Sequence, residues 1–486
     1  MIKNKIQVIA LILVLWITHA SVNATPWVDP NNIYLRVDIQ QLADNNIIKS
    51  PINHWPLAWQ DIGRDIKSVD VNTLSSELKQ SYYRVMFHYR QAKRAVSTTD
   101  LKLTLGTDAP KFQHFSSSHK EKGEMSVTKS FMSDSFAGQL SVTRTLDPQD
   151  GKSFRLDNSF IAYRIANWNI TLGAVPMWWG PGWDTALLMS NNARPIPGIS
   201  INRQQALAFE TPWLSWIGPW SFNSFMGQLE DKGRAVPNAL LWSNRLSVRP
   251  LPELELGFSR STMWAGDGRD SGFSAFWNML KPSESDNKVR DVGDVNDLGS
   301  IDFRWTNSLF NQPFGLYYEM GFEDYGISSI APSKRSHLLG IDTDLYIFET
   351  LVSLYIEASD TYHATCKCIY EHSQYKSGYR YRDKIIGSTY GNNATSLTFG
   401  VTMQTKNHSS FNASLHFIEQ NKQNEQNEQN KQNITDPYEK ILELNLEYVF
   451  IFSDSRWTLA STARNSKINS ETDNDIELSL GWEYKL

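Results

Sequence analysis

The chain has 486 residues, a formal net charge of −5, two cysteines, and 17 Trp, 19 Tyr and 23 Phe in a sequence that is only 41% hydrophobic. A mild acidic excess excludes the basic footprint of a nucleic-acid-binding protein, and two cysteines exclude a disulfide framework. Rich aromatics at modest hydrophobicity fit an outer-membrane barrel, whose strands alternate lipid-facing and lumen-facing side chains; a secreted all-β protein is the competing reading.

The first residues carry Lys3 and Lys5, an apolar run from Ile6 to Ile17 and the small-residue pattern Val22-x-Ala24. Such a run is too short to span a bilayer, so residues 1–24 read as a secretory signal peptide cleaved after Ala24. No later stretch approaches the ~20 apolar residues of a membrane helix.

From Pro26 to about Ser97 the period is helical. Leu35, Ile39 and Leu42 fall at i, i+4 and i+7, and Ile66 follows Ile62. Pro51 and Pro56 break the first helix from the next, and Thr73 or Ser75 can cap a long helix faced by Leu74, Leu78, Val85 and Tyr89. A helical domain over 25–97 is too small to be comfortable without packing on something else. It reads as a periplasmic plug or lid.

At Leu101-Lys-Leu-Thr-Leu105 the period drops to two, and alternation continues to the C-terminus. Leu254, Leu256 and Phe258 alternate with Glu253, Glu255 and Gly257, and Phe314, Leu316, Tyr318, Met320 and Phe322 alternate with a polar set ending in Glu319 and Glu323. With Glu443 and Glu447, these carboxylates are expected to face a wet lumen, where their charge costs little. The last strand is apolar at Ile476, Leu478, Leu480, Trp482, Tyr484 and Leu486, an ending typical of barrels passed to the outer-membrane insertion machinery. Residues 98–486 hold roughly eighteen antiparallel strands at about 20 residues per strand and turn. Trp213, Trp216, Trp220, Trp305 and Trp482 read as an interface girdle. Lys111–Ser135, Lys281–Asp297 and the Gln-Asn repeat from Glu419 to Asn433 read as long surface loops. His363-x2-Cys366-x-Cys368-x3-His372 has zinc ligand types. Short Cys/His clusters match by chance, however, so a local disulfide or two idle thiols is preferred, with no metal and no cofactor.

Pro176 to Arg203 interrupts the alternation. Pro181 between two glycines, followed by Pro195 and Pro197, removes the donors a ladder needs, so the segment is not expected to be a strand. Its Trp178, Trp179, Trp183, Asp184, Asn191, Asn192, Arg194 and Arg203 combine flat rings with planar polar groups, the pairing that recognises sugars. Irregular backbone at membrane depth survives only inside protein or along a wet cavity. An inward-folded plug is therefore preferred to direct ligand contact. Asp267 and Arg269, in a later loop, complete the candidate set.

Several passages resemble one family: Leu35-Arg-Val-Asp-Ile-Gln-Gln-Leu-Ala-Asp44, Trp178-Trp-Gly-Pro-Gly-Trp183, Ser190-Asn-Asn-Ala-Arg-Pro195, Glu210-Thr-Pro-Trp-Leu-Ser-Trp-Ile-Gly-Pro-Trp220 and Met263-Trp-Ala-Gly-Asp-Gly-Arg269. Taken in order, they are similar to the capsule-assembly outer-membrane proteins of the Wzi type. The resemblance implies an eighteen-stranded barrel with a helical bundle at its periplasmic mouth. It also implies a surface lectin that holds or organises capsular or extracellular polysaccharide. The family's Gly-Gly-Glu-Gly-Arg is Ala265-Gly-Asp-Gly-Arg269 here, which leaves the glycan open.

Catalysis is not expected. His408 and Ser409 are sequence neighbours, and neighbours on a strand point to opposite faces. Glu pairs at i, i+2, about 6–7 Å apart, recur too often along the wall to mark a glycosidase. The alternative is a passive porin, against which the helical domain and the inward segment both count. The expected protein is a monomer with its helical domain in the periplasm and long loops outside, whose partners are polysaccharide, outer-membrane lipid and the barrel insertion machinery.

Overall fold

Two-residue alternation forms a wall when each strand pairs with its sequence neighbour, and this chain does so throughout. The structure, a computed structural model, describes residues 26–93, 98–115, 117–133, 135–280, 295–310, 312–323, 334–363, 366, 368–406, 409–422, 437–468 and 471–486. The expected signal peptide, His408, and most of the Lys281–Asp297 and Gln-Asn stretches lie outside those residues.

The first strands are β1 (Thr98–Gly106), β2 (Gly123–Met132), β3 (Phe136–Leu146), β4 (Phe160–Ile165), β5 (Trp168–Gly173) and β6 (Gly198–Arg203). Next come β7 (Trp220–Gln228), β8 (Leu240–Leu251), β9 (Leu254–Trp264), β10 (Asn296–Leu309), β11 (Gln312–Glu323) and β12 (Lys334–Ile347). The wall ends with β13 (Thr350–Asp360), β14 (Ala394–Gln404), β15 (Ser410–Gln420), β16 (Glu439–Phe452), β17 (Ser455–Ile468) and β18 (Glu471–Lys485). All pair antiparallel in chain order, and β18 closes on β1 through Leu480↔Leu105 and Tyr484↔Leu101. A two-residue strand, Phe154–Arg155, adds to β3. Closure pairs each of the eighteen wall strands on both sides among the described residues, which is what a sheet surrounded by lipid requires.

The two faces invert the usual order. Leu339, Ile341, Ile356, Phe399, Leu459, Leu478 and Leu480 are exposed on the outer face, whereas Arg245, Asp302, Glu319, Glu357 and His416 are buried inside. Short turns such as Phe348–Glu349 and Ser453–Asp454, with positive φ at both residues, join strands at the rim that carries both ends of the wall. We call this the near rim; the longer connections stand at the far rim.

Two sequence expectations are corrected here. Gly198–Arg203 is strand β6, although it lies within the segment expected to be irregular. The prolines stop at Pro197, and beyond them Ile199 and Ile201 alternate with Ser200 and Asn202 against β5 and β7. The Lys111–Ser135 stretch contains β2, where Met125, Val127 and Phe131 mark the outward face, broken by Lys129.

The N-terminal region folds as α1 (Ile33–Asp44), α2 (Trp59–Lys67) and α3 (Ser76–Lys93). Asn32 caps α1 by accepting from the Leu35 N–H at 3.1 Å, and Ser75 accepts from Leu78 at 3.3 Å ahead of α3. α1 is buried almost all round because it lies within the barrel: one face packs on α3 and the others meet the wall. Asp44 pairs with Arg304 at 2.8 Å, Tyr34 donates to Glu447, and Arg249 donates to the carbonyls of Ala43 and Ile48.

Candidate functional site

Residues 174–197 leave β5 at the far rim, descend into the lumen and return to β6. Their order comes from backbone groups. Trp178 and Trp179 form a short ladder with Trp55 and His54, so the break between α1 and α2 is itself a docking strand. Gly180 follows at φ +133, with Glu319 where a Cβ would stand, a position only glycine fills. The N–H groups of Trp183, Asp184 and Thr185 then converge on the Glu357 carboxylate of β13, the first at 2.7 Å and the last at 3.0 Å. The Leu187 N–H donates to Glu319 at 3.2 Å. Below, Arg36 of α1 donates to the carbonyls of Pro181 and Gly182 at 3.0 and 2.7 Å, and its guanidinium lies over the rings of Phe115 and Trp183. Burial draws the Arg36 pKa down to about 10, offset by the nearby Glu357 charge, so it stays a cation at neutral pH.

These contacts overturn the wet-lumen expectation for most of the glutamates. Glu255, Glu319, Glu323 and Glu443 are all nearly inaccessible. Glu255 accepts from the N–H groups of Ile52 and Asn53, and Glu323 from that of Tyr370. Glu255, Glu319 and Glu323 take the backbone donors of inserted segments in place of water, the arrangement that buried irregular chain demands, whereas Glu443 pairs with Arg464 of the wall at 2.7 Å. Glu253 alone of the set lies exposed, in the turn between β8 and β9.

A second layer covers the inward segment from the far side. Residues 361–393, between β13 and β14, bring Tyr370 and Tyr379 to donate to the carbonyls of Leu187 and Leu188. The Ser190 N–H donates to Ile386 at 2.9 Å, and Asn192 to Ile385 at 2.9 Å. Asn191 donates to Phe115 at 2.7 Å, which ties in the connection between β1 and β2. Asp184 sits where these parts meet, taking hydroxyl donors from Tyr390 and Thr398 and facing His114 and His416. Burial opposes its ionisation, but the facing imidazoles of His416 and His114 outweigh that and hold the carboxyl well below its usual range.

The candidate residues therefore fall in four places. Trp178, Trp179, Trp183, Asp184, Asn191 and Asn192 are buried together in the inward segment. Arg194 stands at the far rim, paired with Asp150 and with Asp157 at 2.7 Å. Arg203 is at the opposite end, over the Trp220 ring at 3.6 Å and donating to the Trp220 and Leu207 carbonyls. Asp267 and Arg269 lie in the far-rim connection after β9: Asp267 is exposed and accepts from Asn238, while Arg269 donates to Gln374 over the Tyr375 ring. The same connection continues into α4 (Phe273–Leu280), which packs Phe276 on Trp242 and Trp264 of the outer wall. Its Phe273 and Trp277 stack with 79% and 53% of their surface exposed.

Sequence reading missed the tyrosines of 361–393, Arg36, and the His114–Asp184–His416 meeting. Each depends on contacts between residues far apart in the chain, and none carries a local pattern. Cys366 and Cys368 form a disulfide, so neither offers a thiolate.

The family model for capsule assembly protein Wzi matches residues 92–477. An uncharacterized 55.8 kDa protein from the cps region of Klebsiella pneumoniae is 29% identical over 337 residues, which cover 68% of this chain. The chain spans 64% of that relative's length. Among solved structures, the chain is similar to Wzi of Escherichia coli, an outer-membrane protein involved in group 1 capsule assembly and described as a carbohydrate-binding β-barrel. The TM-score is 0.82 at 24% identity, covering 94% of this chain and 99% of that one, a likeness of fold.

Proposed function

The chain belongs to the Wzi family of capsule assembly proteins, and from that premise we propose that it attaches or organises capsular or extracellular polysaccharide at the outer membrane, without catalysis. The observation that carries this reading is the filled lumen. The helical region and residues 174–197 take up wall hydrogen bonds from β7 to β16, so the barrel offers its ligand a surface in place of a passage. Short turns face the periplasm in outer-membrane barrels and long connections face outward, which supports reading the helical region as periplasmic and the far rim as extracellular. The apolar outer face meets outer-membrane lipid, and a wall with no free strand edge suits a monomer.

Within this reading the glycan meets the far rim, where Asp267, Arg269 and Gln374 supply planar polar groups beside exposed rings. Trp178, Trp179, Trp183, Asp184, Asn191 and Asn192 hold that surface from below. The test is binding of the detergent-purified protein to the host's own surface polysaccharide, together with a deletion strain. Deletion is expected to leave synthesis intact and shift polymer from cells to medium. Unchanged cell-bound polymer, with no binding in vitro, would reject the reading.

A further inference from the structure

Three ligating side chains meet beneath the far rim, each from a different part of the chain. His114 comes from the connection between β1 and β2, Asp184 from the inward segment and His416 from β15. Asp184 Oδ1 lies 3.0 Å from Nδ1 of His114 and 3.4 Å from Nδ1 of His416, and the three ligand atoms lie within 4.8 Å of one another. Ligands bonded to one ion at about 2.0–2.1 Å in tetrahedral geometry stand about 3.3 Å apart. The two Asp184–histidine spacings fit ligands sharing a cation.

Surrounding groups hold the cluster as the outer layer of a metal site does. Oδ2 of Asp184 is engaged by the hydroxyls of Tyr390 and Thr398, the latter at 2.8 Å, which turns Oδ1 toward the histidines. Nε2 of His416 faces the Ser414 hydroxyl at 2.7 Å, a partner of the kind that orients a ligating imidazole, with the Asn445 amide at 3.2 Å beside it. Nδ1 of His416 is crowded by three oxygens, from Tyr390, Thr398 and Asp184, more than one N–H can serve. Nε2 of His114 is buried with no hydrogen-bond partner among the described residues. Beside the cluster, a cavity of about 100 Å³ lined by His114, Asp184, Ser414, Glu443 and Asn445 has room for a water as fourth ligand.

We propose that His114, Asp184 and His416 bind one divalent transition-metal ion of the zinc type, joining the β1–β2 connection and the inward segment to the barrel wall. Two imidazoles and one carboxylate select such an ion over calcium or magnesium. The role is structural and does not rest on the polysaccharide reading.

The test uses the detergent-purified full chain, stripped with chelator and reloaded with zinc. About one zinc per chain is expected to survive desalting, cobalt(II) is expected to give the visible absorption of a four-coordinate site, and chelation is expected to lower the melting temperature. His114→Ala, in a connection outside the wall, and His416→Gln should each weaken zinc binding at least about tenfold. Should His416→Gln fail to fold, the cobalt spectrum and His114→Ala decide. The proposal fails if wild-type protein retains no zinc, or if retention is unchanged in His114→Ala. It also fails if zinc is lost only when Cys366 and Cys368 are both replaced by serine.

Discussion

The inward segment 174–197 and the rim connection 265–280 are built from similar residues and end in opposite situations. Both supply Trp, Asp and Gly, and both read as sugar-binding chemistry. Trp178 and Trp179 are 0% and 1% exposed, whereas Phe273 and Trp277 keep more than half their surface open. The difference lies in the backbone. N–H groups at 183–185 go to the carboxylate of Glu357 on a strand, while those of Asp267 and Arg269 go to carbonyls of the rim itself, at Pro237 and Gly266. A segment whose main chain is held by the wall is part of the wall. One whose main chain is held by its neighbours is free to present side chains.

The comparison breaks first at Glu357. Glu357→Ala leaves three buried N–H groups and the Tyr317 hydroxyl without their acceptor, a cost of about 4 kcal/mol or more. Its thermal midpoint in detergent should fall steeply. Planar bilayers should show conductance through the loosened lumen, whereas the wild type is expected to give no large steady current. A wild-type current of porin size would undo the contrast between plug and rim.

A smaller effect comes from His54, paired across the ladder with Trp179. Burial, with the Arg245 charge behind it, draws the His54 pKa down to about 3 from an ordinary 6.5. A group depressed in this way stabilises the fold fully above its unfolded value and loses that contribution as pH falls toward its folded one. Taking the protein from about pH 7.5 to pH 5 should cost about 1–2 kcal/mol through this residue. His54→Gln should flatten that part of the pH profile. A wild-type slope retained in the variant would place the acid sensitivity elsewhere.

The smallest stability effect belongs to the rim. Arg269→Ala should change stability by less than about 0.5 kcal/mol while weakening polysaccharide binding severalfold, about 1 kcal/mol. Equal losses of stability in Arg269→Ala and Glu357→Ala would erase the distinction between the two regions.

Much of the wall was legible because its signal is local. The alternations at Leu254–Phe258 and Phe314–Phe322 each appear within one strand, and the closing strand declared itself from Ile476 to Leu486. β2 and β6 were hidden, the first by Lys129 interrupting its apolar face opposite a face of Ser and Thr and the second by prolines just ahead of it. The glutamates show the limit more sharply. Their position on the inner face was readable at Glu255 and Glu319, but what they face is set by Ile52, Asn53 and Leu187, over a hundred residues away in sequence. Polar inward residues look alike whether they meet water or a main chain. For the same reason the His114–Asp184–His416 cluster had no pattern to find.

Strands β4, β5 and β6 have six residues each, against fourteen or fifteen in β16, β17 and β18. At about 3.3 Å per residue and a tilt near 40°, the short side rises only about 15 Å, less than the ~25 Å apolar band of an outer-membrane barrel. Its outward Ile161, Ile170, Leu172 and Ile199 show that this low side is still apolar. Lipid is expected to thin to meet it, and mismatch of this kind costs a fraction of a kcal/mol per Å. On that expectation the protein sits in the bilayer like a cup with one lowered lip, with the membrane most compressed beside the point where residues 174–197 turn inward.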